Sequence, residues 1–276
     1  MIPHRSRNPT SNRKLHRQSV GEVVGSYAPN RFLIVLEEGA ALLTEAASGL
    51  QLDRAHAPTF EHEYWHFLQN VTTLAGFKSF AFSQQFLPLF SRTLAPDGSS
   101  KGSLALTDAE REDLQVLLKL LDAFEGDVGP EDEPDDVVVI QAGTMDAGLT
   151  LRGRTAPSEV AKLRLLLRFQ TGEERQIEMR LGSCAIEESV AAIVEHEVAD
   201  ALGIPPDPLP EFPYRVVQRV VEYAVGHSVA RRIQAALGTL SLMSVHPGPA
   251  LLRVTQSYRA ALDSGLDSAK APMPIG

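Results

Sequence analysis

Residues 57–77 read APTFEHEYWHFLQNVTTLAGF, and the organisation of the chain can be worked out from them. Pro58 and Thr59 stand where a helix starts and Gly76 where one stops, so the spacing predicts a helix over 59–75 with Thr59 as N-cap. Phe60, Trp65, Phe67, Leu68, Val71 and Leu74 lie almost all round it, the pattern of a helix held inside a fold rather than on its surface. Among them sit His62 and His66, four residues apart, with Glu63 directly after the first.

Four residues make one helical turn. The two imidazoles therefore project from one face roughly 6 Å apart and can take two corners of a tetrahedral metal site. Glu63 lies beside the first of them, placed to accept a proton from a water that a metal has acidified. With 8 histidines and 21 glutamates in 276 residues, the pattern arises by chance in about one such chain in fifty-odd. Two histidines merely packed in an apolar helix would bury polar atoms without partners, which is costly. In one extended form of the pattern, HExxHxxGxxH, a glycine and a third histidine follow. Gln69 and Thr72 stand at those positions here and exclude it.

A third ligand must then come from a second element, and a glutamate on another helix is the common solution. Downstream, KLRLLLRFQTGEERQIEMRLG (162–182) alternates Leu163, Leu165, Leu167 and Phe169 with polar residues, turns around Gly172, and alternates Ile177, Met179 and Leu181 in the same way. This is a half-buried antiparallel hairpin. It runs into AIEESVAAIVEHEVADALG (185–203), a helix that Gly203 ends. On that helix Glu188, Ala192, Glu195 and Ala199 share one stripe, with small residues between the carboxylates leaving room for another helix to approach. Glu187 falls with Ala191, Val194 and Val198 on an ordinary core stripe. Glu188 is the expected third ligand, and Glu195 is the alternative or the hydrogen-bond partner of a histidine N–H.

Elsewhere, RFLIVLEEGAALL (31–43) reads as one or two short strands broken at Gly39. Residues 107–124 form a second clear helix, capped by Thr107 with Glu110 completing a capping box. EGDVGPEDEPDD (125–136) is an acidic loop without the ligand spacing of a calcium-binding hand. After the proline-rich connector 204–213, helices follow near 214–224, 229–237 and 249–263. The fold class is α+β and helix-dominated, with a small antiparallel sheet and a buried metal-binding helix. Residues 1–21 form a disordered basic tail, and 22–276 a single domain whose C-terminal part is helical from about 212.

The tail carries Arg5, Arg7, Arg13, Lys14 and Arg17 and no acid, while the remainder holds 21 basic against 35 acidic residues. Such a tail could touch nucleic acid or an acidic surface, but so acidic a body argues against nucleic acid as the main partner. Cys184 is the single cysteine, which excludes a disulfide framework and a cysteine metal cage. No apolar run reaches the roughly 18 residues that cross a bilayer, and the N-terminus has no apolar signal core. A cytoplasmic protein without a membrane partner is expected.

The pair EHEYWHFLQ and LGSCAIEESVAAIVE, within residues 58–76 and 181–200, resembles the zincin metallopeptidases of the glutamate-ligand kind, the gluzincins. It is also similar to a group of uncharacterised bacterial HExxH proteins. The resemblance implies a Zn²⁺-dependent peptidase or amide hydrolase, with His62, His66 and Glu188 as ligands, Glu63 as base, and a peptide or protein as substrate. It further implies that strand 175–181, an edge strand beside the metal helix, aligns that substrate. For stabilising an oxyanion, Tyr223 and His227 on VEYAVGH are candidates, set against the commoner role of a lone tyrosine or histidine on a helix, which is packing. The same two histidines and one carboxylate also suit a non-haem Fe(II) enzyme, in which Glu63 has no obligatory role. A non-catalytic regulatory protein that keeps a metal for structure is the third reading.

Overall fold

A computed structural model describes residues 25–265 apart from 29–32, 37–42, 47–48, 53, 128, 131, 149, 152–153, 156–158 and 207. The tail expected over 1–21 lies outside the described residues. Two antiparallel hairpins come first: β1 (Gly25–Ala28) with β2 (Leu33–Leu36), then β3 (Leu43–Ala46) with β4 (Gly49–Leu52). Three helices follow, α1 (Ala57–Thr72), α2 (Leu74–Arg92) and α3 (Asp108–Glu125). Next come β5 (Asp136–Asp146), the short pair β6 (Thr150–Leu151) and β7 (Arg154–Thr155), then β8 (Glu159–Arg168) and β9 (Glu174–Leu181). Helices α4 (Ser183–Leu202), α5 (Val216–Val225), α6 (Arg231–Leu242) and α7 (Pro247–Asp263) complete the fold. It is α+β and helix-dominated, and among the described residues no helix is long and apolar enough to cross a membrane.

The predicted hairpin is β8–β9, with Leu163 opposite Met179 and Leu165 opposite Ile177. β5 joins it on the far side of β8, giving an antiparallel sheet in the order β5-β8-β9. Leu163, Leu165 and Leu167 turn inward to join Val217, Val220 and Val221 of α5 and Leu251 of α7 in one core cluster. On the outer face Glu178 pairs with Lys162 and Arg164. Burying alternate residues in this way is what the period-two pattern dictates.

The helix boundaries show where local signals mislead. α1 starts at Ala57 after a short 3₁₀ turn, with Pro58 in its first turn and no side-chain cap, so Thr59 is not its N-cap. It stops at Thr72, before Gly76. Thr73 adopts an extended conformation and caps a new helix, its hydroxyl accepting from Gly76 N–H at 3.0 Å. Gly76 therefore opens α2 rather than closing α1. A Cβ there would stand 2.4 Å from the Asn70 backbone, so the glycine is needed for the close approach of the two helices. α3 carries the full Thr107–Glu110 capping box, as expected.

Two elements exceed the sequence expectations. α2 contains Pro88 and spreads its apolar residues round the axis, which hides its periodicity. β5 is buried in its first half and exposed in its second, so it gains meaning as a strand only beside β8.

The start of α4 is set by a close contact with the end of α3. A Cβ on Gly182 would meet the Glu125 carbonyl oxygen at 2.3 Å, and one on Gly126 would meet Gly182 N at 2.5 Å. Beside this crossing Arg180 donates to Asp122 at 2.6 Å and to Asp127 at 2.6 Å. β9, the turn and α4 are thus pinned at one point, which fixes where the carboxylates of α4 begin.

Candidate metal centre

α1 reverses the usual distribution of buried and exposed residues. Its buried side chains are Pro58, His62, Glu63 and Gln69, whereas Tyr64 and Val71 are exposed. Three polar groups are taken out of water on a helix with apolar residues to spare. That arrangement is costly unless the groups satisfy one another or hold a ligand.

They face α4, where Glu188 and Glu195 are buried and Glu187 is half-buried. Ala191 and Ala192, both buried between the two carboxylates, are small enough to let the helices close. Nε2 of His62 lies 3.2 Å from Nε2 of His66, and each stands 3.5 Å from the same Glu188 oxygen. One atom from each of these residues therefore meets the others in a nearly equilateral triangle, a group that could hold a metal ion. A tetrahedral ion bound at about 2.0–2.1 Å separates its ligand atoms by about 3.3–3.4 Å, which matches the sides of this triangle.

The far sides of both rings are anchored. His62 Nδ1 lies 2.8 Å from a Glu195 oxygen. A carboxylate only accepts, so this nitrogen carries the hydrogen and Nε2 offers its lone pair to the triangle. His66 Nδ1 lies 3.1 Å from Gln69 Oε1, and the Gln69 amide nitrogen donates to the Glu187 carbonyl, also at 3.1 Å. The second bond orients the Gln69 amide, so His66 likewise donates from Nδ1 and presents Nε2. Three acceptor atoms thus converge on one point, and only a cation or a proton reconciles them.

The electrostatics agree. Burial pulls the His62 imidazolium down, but hydrogen bonds and charges from Glu188 and Glu195 outweigh it and push its pKa up to about 10. For His66 burial again acts downward, and Glu188, with a smaller part from Glu63, raises it above 6.5 against the opposing charge of His62. Burial alone would raise the Glu188 carboxyl; the charges of and hydrogen bonds from His66 and His62 hold it well below the carboxylate range instead.

Of the predicted site residues, His62, His66 and Glu188 come together, Glu63 is buried in the same turn, and Glu195 takes the orienting position behind His62. Gln69, whose presence excludes the extended histidine pattern, holds His66. The side chain and strands found beside the histidines differ from those expected. Tyr223 and His227 are exposed at the end of α5 and just beyond it. The tyrosine beside the histidines is Tyr214, buried with its ring edge-on to His62 at 6.1 Å between centroids. It lies in the connector before α5, and no local periodicity marks it. β9 is an edge strand, but its end is engaged by Asp127, whose N–H donates to the Arg180 carbonyl at 2.9 Å. The strands packed against α1 are β1 and β2, with Asn70 donating to the Tyr27 hydroxyl at 3.1 Å.

No family model, curated protein or solved structure matches the chain. Fold and site define an α+β protein with a two-histidine, one-glutamate group between two helices that could hold a metal ion.

Proposed function

We propose that this protein is a metal-dependent hydrolase of peptide or related amide bonds, with Zn²⁺ held by His62, His66 and Glu188. The observation that carries the reading is the triangle of acceptors with both Nδ1 atoms engaged from behind. Two neighbouring residues, Glu195 and Gln69, hold the Nδ1 atoms and so aim the Nε2 atoms at one point. When bound, the metal supplies Lewis-acid polarisation of a carbonyl and a lowered pKa for a water. Glu63, buried next to His62, accepts the proton of the attacking water and returns it to the leaving amine. Glu195 keeps His62 in one tautomer throughout, and Gln69 does the same for His66. Tyr214, edge-on to His62, is better placed than Tyr223 to donate to a developing oxyanion.

The test is metal analysis of protein purified without added metal, followed by a screen of peptide libraries for chelator-sensitive cleavage. About one equivalent of zinc with chelator-sensitive cleavage supports the hydrolase. Iron with oxygen-dependent turnover assigns the same donor set to an oxidative enzyme, and a protein that retains no metal removes the reading.

A further inference from the structure

α2 breaks the rule that a surface helix turns its polar side outward. Between Lys78 and Arg92 its thirteen residues, SFAFSQQFLPLFS, include no charged side chain. Ala75, Gly76 and Phe82 are buried on the inner side. On the other, Phe77, Phe80, Leu87 and Phe90 are 67%, 43%, 54% and 57% exposed. At 3.6 residues per turn these four fall within about 140° of one another, a continuous outward stripe. Taking about 200 Å² for each aromatic side chain and somewhat less for leucine, they leave about 430 Å² of apolar surface in water. A standard interface hides about 800 Å² per partner, of which a little over half is apolar, so the stripe alone nearly supplies what one side of a stable dimer needs.

The spacing of the stripe is its own complement. Phe77 and Phe90 are centred between residues 83 and 84, and so are Phe80 and Leu87. Across a two-fold axis residue i meets j and j meets i, so this spacing sets each apolar side chain of the stripe against another. We propose that a second copy of this chain covers α2, the two helices lying antiparallel about a two-fold axis between Ser83 and Gln84. Phe80 of each copy then stands at the level of Leu87 of the other, and Phe77 at the level of Phe90. The uncharged centre, Ser83-Gln84-Gln85, lets the helices meet without opposing like charges. A membrane surface fits less well. Lys78 donates to the Val245 carbonyl and Arg92 is paired with Glu110, so neither cation of α2 is free to rim the stripe, and the chain carries a net charge of −9.

Sedimentation velocity on the full chain should give twice the 30.0 kDa of one copy at micromolar concentration. Phe80→Glu and Leu87→Glu, both at exposed positions, should each give the single-chain mass with an unchanged far-UV circular dichroism spectrum. On a Cys184→Ser background, Phe80→Cys chains mixed with Leu87→Cys chains should cross-link far more readily than Phe80→Cys chains alone. A single-chain mass for the unaltered protein overturns the proposal, as does a dimer that survives both glutamate substitutions or equal cross-linking in the two samples. A single-chain species that binds phosphatidylcholine–phosphatidylserine vesicles, and loses them with Phe80→Glu, also overturns it by assigning the stripe to a membrane.

Discussion

Glu195 lies 2.8 Å from Nδ1 of His62, on the opposite side of the ring from Glu188. One imidazole is thus held between two carboxylates of the same helix, each with a different task. Glu188 faces the point where the acceptors converge, and Glu195 fixes the tautomer that makes Nε2 an acceptor.

The first prediction separates those tasks. Glu188→Ala should abolish stoichiometric metal binding. Glu195→Gln should weaken it by about 10–100-fold, the usual cost of losing a group that orients a ligand. Gln69→Ala should fall in the same range by freeing His66, and Glu187→Ala should change little. Competition with a calibrated chelator measures all four, and a larger loss for Glu195→Gln than for Glu188→Ala would invert the assignment.

His62→Ala should remove the metal and also destabilise the metal-free protein. It removes from a buried cluster the imidazole that Glu188 and Glu195 share, and breaking a buried pair on one side costs about 3–5 kcal/mol. Urea unfolding of the metal-free variant beside metal-free wild type reads this directly. Equal midpoints would show that the carboxylates are compensated elsewhere.

The pH dependence should reverse with metal. In the metal-free protein the His62 pKa stands at about 10 against 6.5 for the free side chain, so the folded state binds the extra proton. That contribution is complete below pH 6.5 and is lost as pH rises towards 10. Glu188 works the other way: its carboxyl is depressed below 4.5, so its contribution is present above that value and lost in acid. Metal-free protein should therefore melt highest between the two and decline on the alkaline side. Metal competes with protons for the same nitrogens, so its stabilising increment should grow with pH. Melting temperatures with and without chelator across neutral pH test this; a metal-free curve that climbs on the alkaline side refutes it.

Glu63→Gln keeps shape and volume but removes the proton acceptor. Metal content should be retained, and turnover should fall by at least about 10²–10⁴, the range of general acid–base catalysis. A metal-replete variant that cleaves at the wild-type rate ends the hydrolase reading.

Gly182→Ala tests the link from fold to site. Its new Cβ would press on the Glu125 carbonyl, at a cost of about 1–3 kcal/mol for forcing an atom into filled space. The base of α4 must shift to relieve it, so metal affinity should fall along with the melting temperature. Leaving both unchanged would mean that the α3–α4 crossing does not position Glu188.

Much of this was legible in the chain because it rests on local physics. The alternation of Leu163 to Leu181 makes the hairpin, Thr107 and Glu110 cap α3, Gly203 ends α4, and one helical turn puts His62 and His66 on one face. The limits of α1 were not legible, because Thr73 and Gly76 carry the ordinary marks of a helix end while serving as the start of the next helix. Nor was Tyr214, which reaches His62 through space from an irregular connector. The roles of Glu188 and Glu195 show the division most clearly. Both lie on one stripe of α4, seven residues and about 10 Å apart along its axis, with identical side chains. Periodicity places them on the same face but is blind to the axial register of α1 against α4. That register comes from packing across Ala191 and Ala192 and from the contact of Gly182 with the end of α3, and it decides which carboxylate meets Nε2 and which meets Nδ1.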